Sequence, residues 1–307
     1  MRFHQFQDTG LRYFLEVARG GSLAEASQQL HVSTSAISRQ IAALEEAVGM
    51  PLFERHPRGM VLNAAGEILA THARRAQLDA ERALGEIRSL QGLRSGRVRV
   101  AATEAFANEF LPSLMAEFRL GHEGIVFELN ACPHSTVSNA VRHGDADIGL
   151  KFSRAPERDI RVEFRRPAPV LALVPTAHPL ARARTLTLAR MSGYPIALPA
   201  PQTMVREMIE VACSRQQLLI EPVLTTNSMA ALHSFVVRHG GIAVSGEISV
   251  RHLVLAGLIK AIPITDPSLD LRDLEVQTLE GRTLPHAAAA FLDFLREHLE
   301  SLWPAKT

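Results

Sequence analysis

Cysteine is nearly absent: the chain has two in 307 residues, Cys132 and Cys213, far apart and in no metal-ligand spacing. That excludes a disulfide framework and fits a reducing compartment. Lysine is scarce as well, with Lys151, Lys260 and Lys306 only, so arginine carries the basic charge. A net charge of +1 singles out no class of partner. No segment reaches the ~18 apolar residues of a membrane span, and MRFHQFQDTG holds no signal-peptide core. His-Glu-x-x-His, Gly-x-Ser-x-Gly and Walker A patterns are missing, and Gly240-Gly241 is a helix stop rather than a phosphate loop. The expectation is a cytoplasmic protein of about two domains, not membrane-bound and not an enzyme, with no cofactor and no metal site.

What is there begins with three short helices over residues 11–48. The first carries Leu11, Phe14, Leu15 and Ala18 and stops at Gly20-Gly21. Ser22-Leu23-Ala24-Glu25 has the capping-box spacing for the second. Ser33 is the next N-cap, and the third helix shows Ile37, Ile41, Leu44 and Val48 as one narrow stripe ending at Gly49. Two helices joined by a tight turn form a helix-turn-helix. In 51-PLFERHPRGMVLN-63, the runs Leu52–Arg55 and Met60–Leu62 flank the turn 56-HPRG-59, as a β-hairpin wing would.

The third helix turns an outer face of short polar residues and one arginine away from its stripe. An α-helix of this kind fits the DNA major groove, where its first residues reach base edges. Ser and Thr can bond phosphates, and Arg39 can take a guanine edge or a phosphate. The charge balance does not demand this: residues 1–95 hold 11 Arg against 10 Asp plus Glu. A three-helix unit also serves as a protein-binding module, so placement of charge carries the reading.

Asn63 caps a long helix expected from Ala64 to Leu93, roughly 45 Å at 1.5 Å per residue. Its stripe of Leu69, His72, Ala76, Ala80, Ala83, Ile87 and Leu90 is narrow and alanine-rich, which suits pairing with a second copy; lying on its own chain is the alternative. Leu93-Arg94-Ser95-Gly96 reads as a hinge. Beyond it, the apolar runs 98-VRVAAT, 125-IVFELN, 170-VLALV, 195-PIAL, 223-VLTT, 242-IAVS and 258-LIKAIPI alternate with helices near 109–119, 136–143, 204–217, 229–239 and 286–302. This predicts two α/β lobes with mostly parallel sheets and crossovers at 165-RRP-167 and 263-PITDP-267.

The stretch 20-GGSLAEASQQLHVSTSAISRQIAALEEAVGMPLFERHPRGMVLNAAG-66 resembles the N-terminal signature of LysR-type transcriptional regulators, and the resemblance extends over the whole chain. It implies a fold of α plus α/β class: a winged helix-turn-helix DNA-binding domain (1–63), a linker and dimerisation helix (64–95), and a two-lobed effector domain of periplasmic-binding-protein type (96–307). Lobe I would take about 96–166 and 267–304, and lobe II about 167–266. It implies that Ser33, Thr34, Ser35, Ser38, Arg39 and Gln40 sit at or near double-stranded DNA, with Arg55 and Arg58 on the wing. An inverted-repeat promoter site, a homodimer, commonly a homotetramer, and RNA polymerase are the partners it implies.

Ligands of open α/β sheets lie beyond the carboxyl ends of the strands. Thr103, His134, Ser135, Thr136, Thr203, Ser228 and Ser245 follow strands and are effector-binding candidates, each with N-capping as its simpler role. Phe106 and Phe152 are candidate pocket walls, core packing being the alternative. Lys151 and Arg206 are candidate charge partners should the small organic effector be an acid. Cys132 is a candidate redox thiol near the same end.

Overall fold

The structure is a computed structural model that describes residues 8–57, 59–90, 96–267, 269 and 272–302. Two compact units emerge, one ending with the long helix and one beginning at the strand that follows it.

In the first unit, α1 (Thr9–Gly20), α2 (Leu23–Leu30) and α3 (Thr34–Val48) pack around Tyr13, Phe14, Val17, Ala26, Ile37 and Ile41. Each helix has a side-chain N-cap. Asp8 accepts from Leu11 N–H at 3.0 Å, Ser22 from Glu25 N–H at 3.1 Å, and Ser33 from Ala36 N–H at 3.3 Å. Such caps satisfy amides that the helix itself leaves bare. The buried stripe of α1 differs from the expected one: Tyr13 and Val17 are buried with Phe14, while Leu11, Leu15 and Ala18 are half-buried. Val48 departs too; it is exposed, so the core stripe of α3 ends at Leu44.

The wing is an antiparallel pair, β1 (Phe53–His56) and β2 (Gly59–Leu62), with Phe53 opposite Leu62 and His56 opposite Gly59. Two ties hold it on the helices. Phe53 packs on Phe14 with ring centroids 5.3 Å apart, and Met60 N–H donates to Gly21 O at 2.7 Å. Gly59 is required there: its φ is +141°, and a Cβ would stand 2.4 Å from Gly21 O. Asn63 then opens α4 (Ala64–Leu90). Its Oδ1 accepts from Gly66 N–H at 2.9 Å while its Nδ2 donates to Pro51 O at 2.8 Å. The expected hinge at Leu93–Ser95 lies outside the described residues.

The second unit holds two five-stranded sheets. β3 (Gly96–Ala102), β4 (Ile125–Ala131), β5 (Ile148–Ser153), β6 (Ile160–Pro167) and β12 (Asp273–Leu279) form one, in the order β4-β3-β5-β12-β6. β7 (Val170–Pro175), β8 (Ile196–Pro199), β9 (Leu224–Thr226), β10 (Ile242–Gly246) and β11 (Ile259–Pro263) form the other, in the order β11-β7-β10-β8-β9. Four strands of each sheet run in one direction, as expected of mostly parallel sheets, and one runs against them: β12 between β5 and β6 in the first, β7 between β10 and β11 in the second. The reason is connectivity: β6 runs directly into β7 and β11 returns toward β12, so the chain crosses twice and enters each sheet from its far end.

Helices α5 (Glu104–Ala107), α6 (Phe110–Gly121), α7 (His134–His143) and α12 (His286–Leu302) belong to the first sheet's span of chain. Helices α8 (Leu188–Met191), α9 (Met204–Arg215), α10 (Met229–Val237) and α11 (Glu247–Leu255) belong to the second's. Phe118, Phe127, Phe291 and Phe294 lock α6, β4 and α12 together with centroid spacings of 4.7–6.1 Å. Arg99 clamps the start of β5 through Asp147, whose Oδ1 accepts from Nη2 at 2.9 Å and whose Oδ2 accepts from Arg99 N–H at 2.8 Å.

Candidate nucleic-acid interface and effector site

Helix α3 begins in solvent. Ser33, Thr34, Ser35, Arg39 and Gln40 are exposed and Ser38 is half-buried, while Ile37 and Ile41 on the opposite side are buried. The six residues expected at DNA therefore fall on the first two turns of one helix, clear of its core stripe. Ser33 is also spent locally, as the N-cap, with its Oγ 3.0 Å from Ser35 Oγ. Gln40 lies beside the start of α1, its Oε1 3.6 Å from where a Cβ on Gly10 would stand. Among the described residues Arg39 has no acidic partner. On the wing Arg55 is exposed and opposite Met60; Arg58 lies outside the described residues. Glu45, near the far end of α3, accepts Leu52 N–H at 2.8 Å and so fixes where the wing departs. The exposed polar turn, the free cation and the adjacent hairpin are the parts a groove-reading module needs.

In the second unit the carboxyl ends of β3, β4 and β5 bring together Thr103, the 133–136 segment and Lys151–Phe152. Cys132 N–H donates to Ala102 O at 2.9 Å and Thr103 N–H to Leu150 O at 3.1 Å. The ends of β8, β9 and β10 bring Thr203, Ser228 and Ser245. Glu104 links the two sets: its Oε1 accepts from Met229 N–H at 3.0 Å and Ser228 Oγ at 3.3 Å, at the N-terminus of α10. Beside this link a cavity of about 360 Å³ opens between α5, α10 and α11, lined by Glu104, Asn108, Glu109, His233, Ser234 and His252 among others. That volume suits a small molecule.

Several expected effector contacts have other employment. Phe106 is fully buried with its ring 4.9 Å from Phe152, so it is core. Phe152 is buried under the guanidinium of Arg272, 3.9 Å from its centroid. Ser245 is buried in a chain of hydroxyls, 2.7 Å from Ser249 Oγ and 3.2 Å from His233 Nε2. Thr203 caps α9 and donates to Ala200 O at 2.8 Å; Ser228 caps α10. Lys151 is buried and paired with Glu157, and Arg206 pairs with Glu210 at 2.7 Å. Their charges are thus compensated before any ligand arrives. Thr103 keeps a buried Oγ1 with no hydrogen-bond partner, while Ser135 and Thr136 are exposed on the first turn of α7, where Pro133 supplies no side-chain cap. His134 is half-buried on the same turn. Cys132 is half-buried, and burial pushes its thiol up, opposite to what an activated thiolate needs. Burial, with the nearby His252, pulls His233 down to about 4, so it is neutral at physiological pH.

Sequence reading passed over Glu104, Arg272, His233 and Glu157. Only Glu104 left a signal, an acid directly after a strand-end threonine.

A winged helix-turn-helix on a long helix, followed by two α/β lobes meeting at their strand ends, defines a ligand-responsive DNA-binding regulator. The comparisons agree. The family model described as "Bacterial regulatory helix-turn-helix protein, lysR family" matches residues 9–67, and "LysR substrate binding domain" matches residues 91–300. The chain belongs to the LysR family of transcriptional regulators, which are not enzymes. Relatives include the RuBisCO operon transcriptional regulator of Allochromatium vinosum, 30% identical over 296 residues that cover 93% of this chain and 94% of that one. The HTH-type transcriptional activator CmpR of a Synechocystis strain is 25% identical over 97% of this chain and 96% of its own. A full-length OxyR variant from Pseudomonas aeruginosa shares the fold, with a TM-score of 0.60 at 19% identity over 94% of this chain and 97% of that one. Among the described residues no helix is long and apolar enough to cross a membrane.

Proposed function

We propose that this regulator acts in the cytoplasm as a homodimer, assembling further into a tetramer, and reads an inverted-repeat promoter site through paired copies of α3. Ser33, Thr34, Ser35, Ser38, Arg39 and Gln40 meet the major groove, and Arg55 with Arg58 meet the flanking backbone. The observation that carries this is the exposed, unpaired Arg39 on the outer face of a capped helix whose other face is buried.

The dimer reading draws on α4. Of the stripe expected there, His72, Ala76, Ala83 and Ile87 are exposed within one chain, Ile87 at 54%, while Leu69 and Ala80 are half-buried; Ile68, a turn before His72, is exposed at 74%. An apolar stripe of this length left bare in a monomer is the pattern of a helix awaiting its like. A small organic effector, an acid being the leading class, binds at the strand ends of the second unit; Thr103, Ser135 and Thr136 keep uncommitted hydroxyls for it, and no cofactor or metal is required. The effector acts by binding one arrangement of the assembly better than another. RNA polymerase is the downstream partner.

The test is selection of double-stranded DNA from a random pool by the full-length protein, followed by mass measurement of the free protein. Recovery of a two-fold repeat, loss of enrichment in Arg39→Ala, and a dimer or larger that Ile87→Glu dissociates are expected. A monomer that enriches no sequence contradicts the proposal.

A further inference from the structure

We propose that Arg272 is the anchor for the effector, holding a carboxylate at its Nη2 edge against the N-terminus of α11. This rests on the reading of the second unit as the effector domain for a small organic acid and adds the residue that anchors it.

Arg272 is 3% exposed and lies at the second crossover. Its Nε donates to Ala168 O at 2.7 Å in the first crossover, and its guanidinium covers Phe152 at the end of β5. Nη2 is buried and has no hydrogen-bond partner. Burial alone pulls the group down to about 9, so it keeps its charge at neutral pH, and no carboxylate among the described residues offsets it. Three cations on the first sheet are compensated: Arg99 by Asp147, Lys151 by Glu157, Arg165 by Glu275 at 2.7 Å. A buried charge without its counter-ion carries an unreturned desolvation penalty, which an anion supplied from outside would offset.

The surroundings suit that anion. A Cβ on Gly246 would stand 2.8 Å from Nη2 and 3.4 Å from Phe152 Cζ, so glycine lets the start of α11 approach the guanidinium this closely. Gly246 is also the N-cap residue of α11, a nine-residue helix with no side-chain cap, whose first amides and dipole favour negative charge. Glu247 in that first turn is turned to Arg251 at 3.3 Å. A carboxylate meets a guanidinium edge-on with two parallel hydrogen bonds. Both crossovers and both sheets contribute to this point, so a bound anion would bear on the arrangement of the two lobes.

The experiment is thermal unfolding of the full-length protein titrated with acetate, benzoate, succinate and inorganic phosphate at matched ionic strength, for the wild type, Arg272→Met and Gly246→Ala. At least one carboxylate should raise the wild-type midpoint saturably. Arg272→Met should lose that response while its ligand-free midpoint stays level or rises. Gly246→Ala, which presses only on the flexible end of Arg272, should bind the same carboxylate at least tenfold more weakly. An unchanged response in both variants, stabilisation by phosphate alone, or no carboxylate response in the wild type overturns the proposal. Neutral or cationic metabolites run alongside separate the two readings: a response to them that survives Arg272→Met removes the anchor and leaves the effector domain standing.

Discussion

Asn63 joins the wing to the long helix by two side-chain bonds, and removing them has a calculable cost. Oδ1 caps α4 through Gly66 N–H at 2.9 Å, and Nδ2 reaches Pro51 O at 2.8 Å. Losing an N-cap costs about 1 kcal/mol, and losing a neutral side-chain-to-carbonyl bond about 1 kcal/mol more. Asn63→Ala should then destabilise this junction by about 2 kcal/mol, roughly a 30-fold change in its opening equilibrium. Asn63→Thr keeps a capping oxygen and loses the donor to Pro51, so about half the cost, or roughly 5-fold, remains. The main-chain bond from Asn63 N–H to Leu52 O at 3.1 Å is untouched in both variants, so the junction loosens without unfolding. Amide exchange in the full-length protein, followed over residues 51–66, reads this opening directly. Exchange should quicken in the order wild type, Thr, Ala. A Thr rate equal to wild type would show that the bridge to Pro51 does nothing, equal rates in Thr and Ala that the cap does nothing, and rates equal to wild type in both would refute the reasoning.

Three further outcomes follow from this junction and from the second unit. Gly66→Ala would place a Cβ 2.1 Å from Leu52 O and 2.8 Å from Leu62 Cδ2, contacts that backbone cannot relieve cheaply, so DNA affinity and the midpoint of the first unit should fall further than in Asn63→Ala. His233 is buried neutral with its pKa depressed to about 4, so the stability it confers is full above its ordinary value near 6.5 and drains as pH falls toward 4. The acid loss should be shallower in His233→Gln, measured by urea unfolding across that window. Glu157 is held below the usual carboxylate range: burial pushes it up, but Lys151, Ser138 and Arg142 outweigh that. Its contribution is therefore present above the ordinary glutamate pKa and lost as pH falls through the depressed one. Glu157→Gln should destabilise at neutral pH by stranding Lys151, and the gap to wild type should narrow in acid.

Local chemistry made the first unit legible. Ser22, Ser33 and Asn63 cap helices in ways that need only their near neighbours, and Gly49 ends α3 at φ +80°. The exposed face of α3 was readable for the same reason, since a buried stripe fixes what points away. The second unit hid what depends on distant partners. β12 reads as a polar loop, yet Glu275, Gln277 and Thr278 are buried because Arg165, Ser138 and Glu163 meet them, more than a hundred residues away in sequence. β6 was obscured by the charged run of 160-IRVEFRRP-167, which alternates between a covered and an open side. Among effector candidates, residue type after a strand picked out strand ends but not which hydroxyls were already engaged: Thr203 and Ser245 are spent, while Thr103 is not. Arg272 lay in a segment with no strand or helix pattern, and its burial comes from two crossovers folding over it.

The most direct test of the account is the affinity of the full-length protein for its selected inverted repeat, measured for wild type and Arg39→Ala at two salt concentrations. A guanidinium at a base edge contributes about 1–3 kcal/mol, so Arg39→Ala should weaken binding some 5- to 150-fold for each half-site, through one base-pair position in it. If Arg39 sits on a phosphate instead, the loss is uniform across sequences and the salt slope falls by about 1 per half-site. An Arg39→Ala protein that binds the repeat with wild-type affinity and salt dependence would contradict the placement of α3 in the groove.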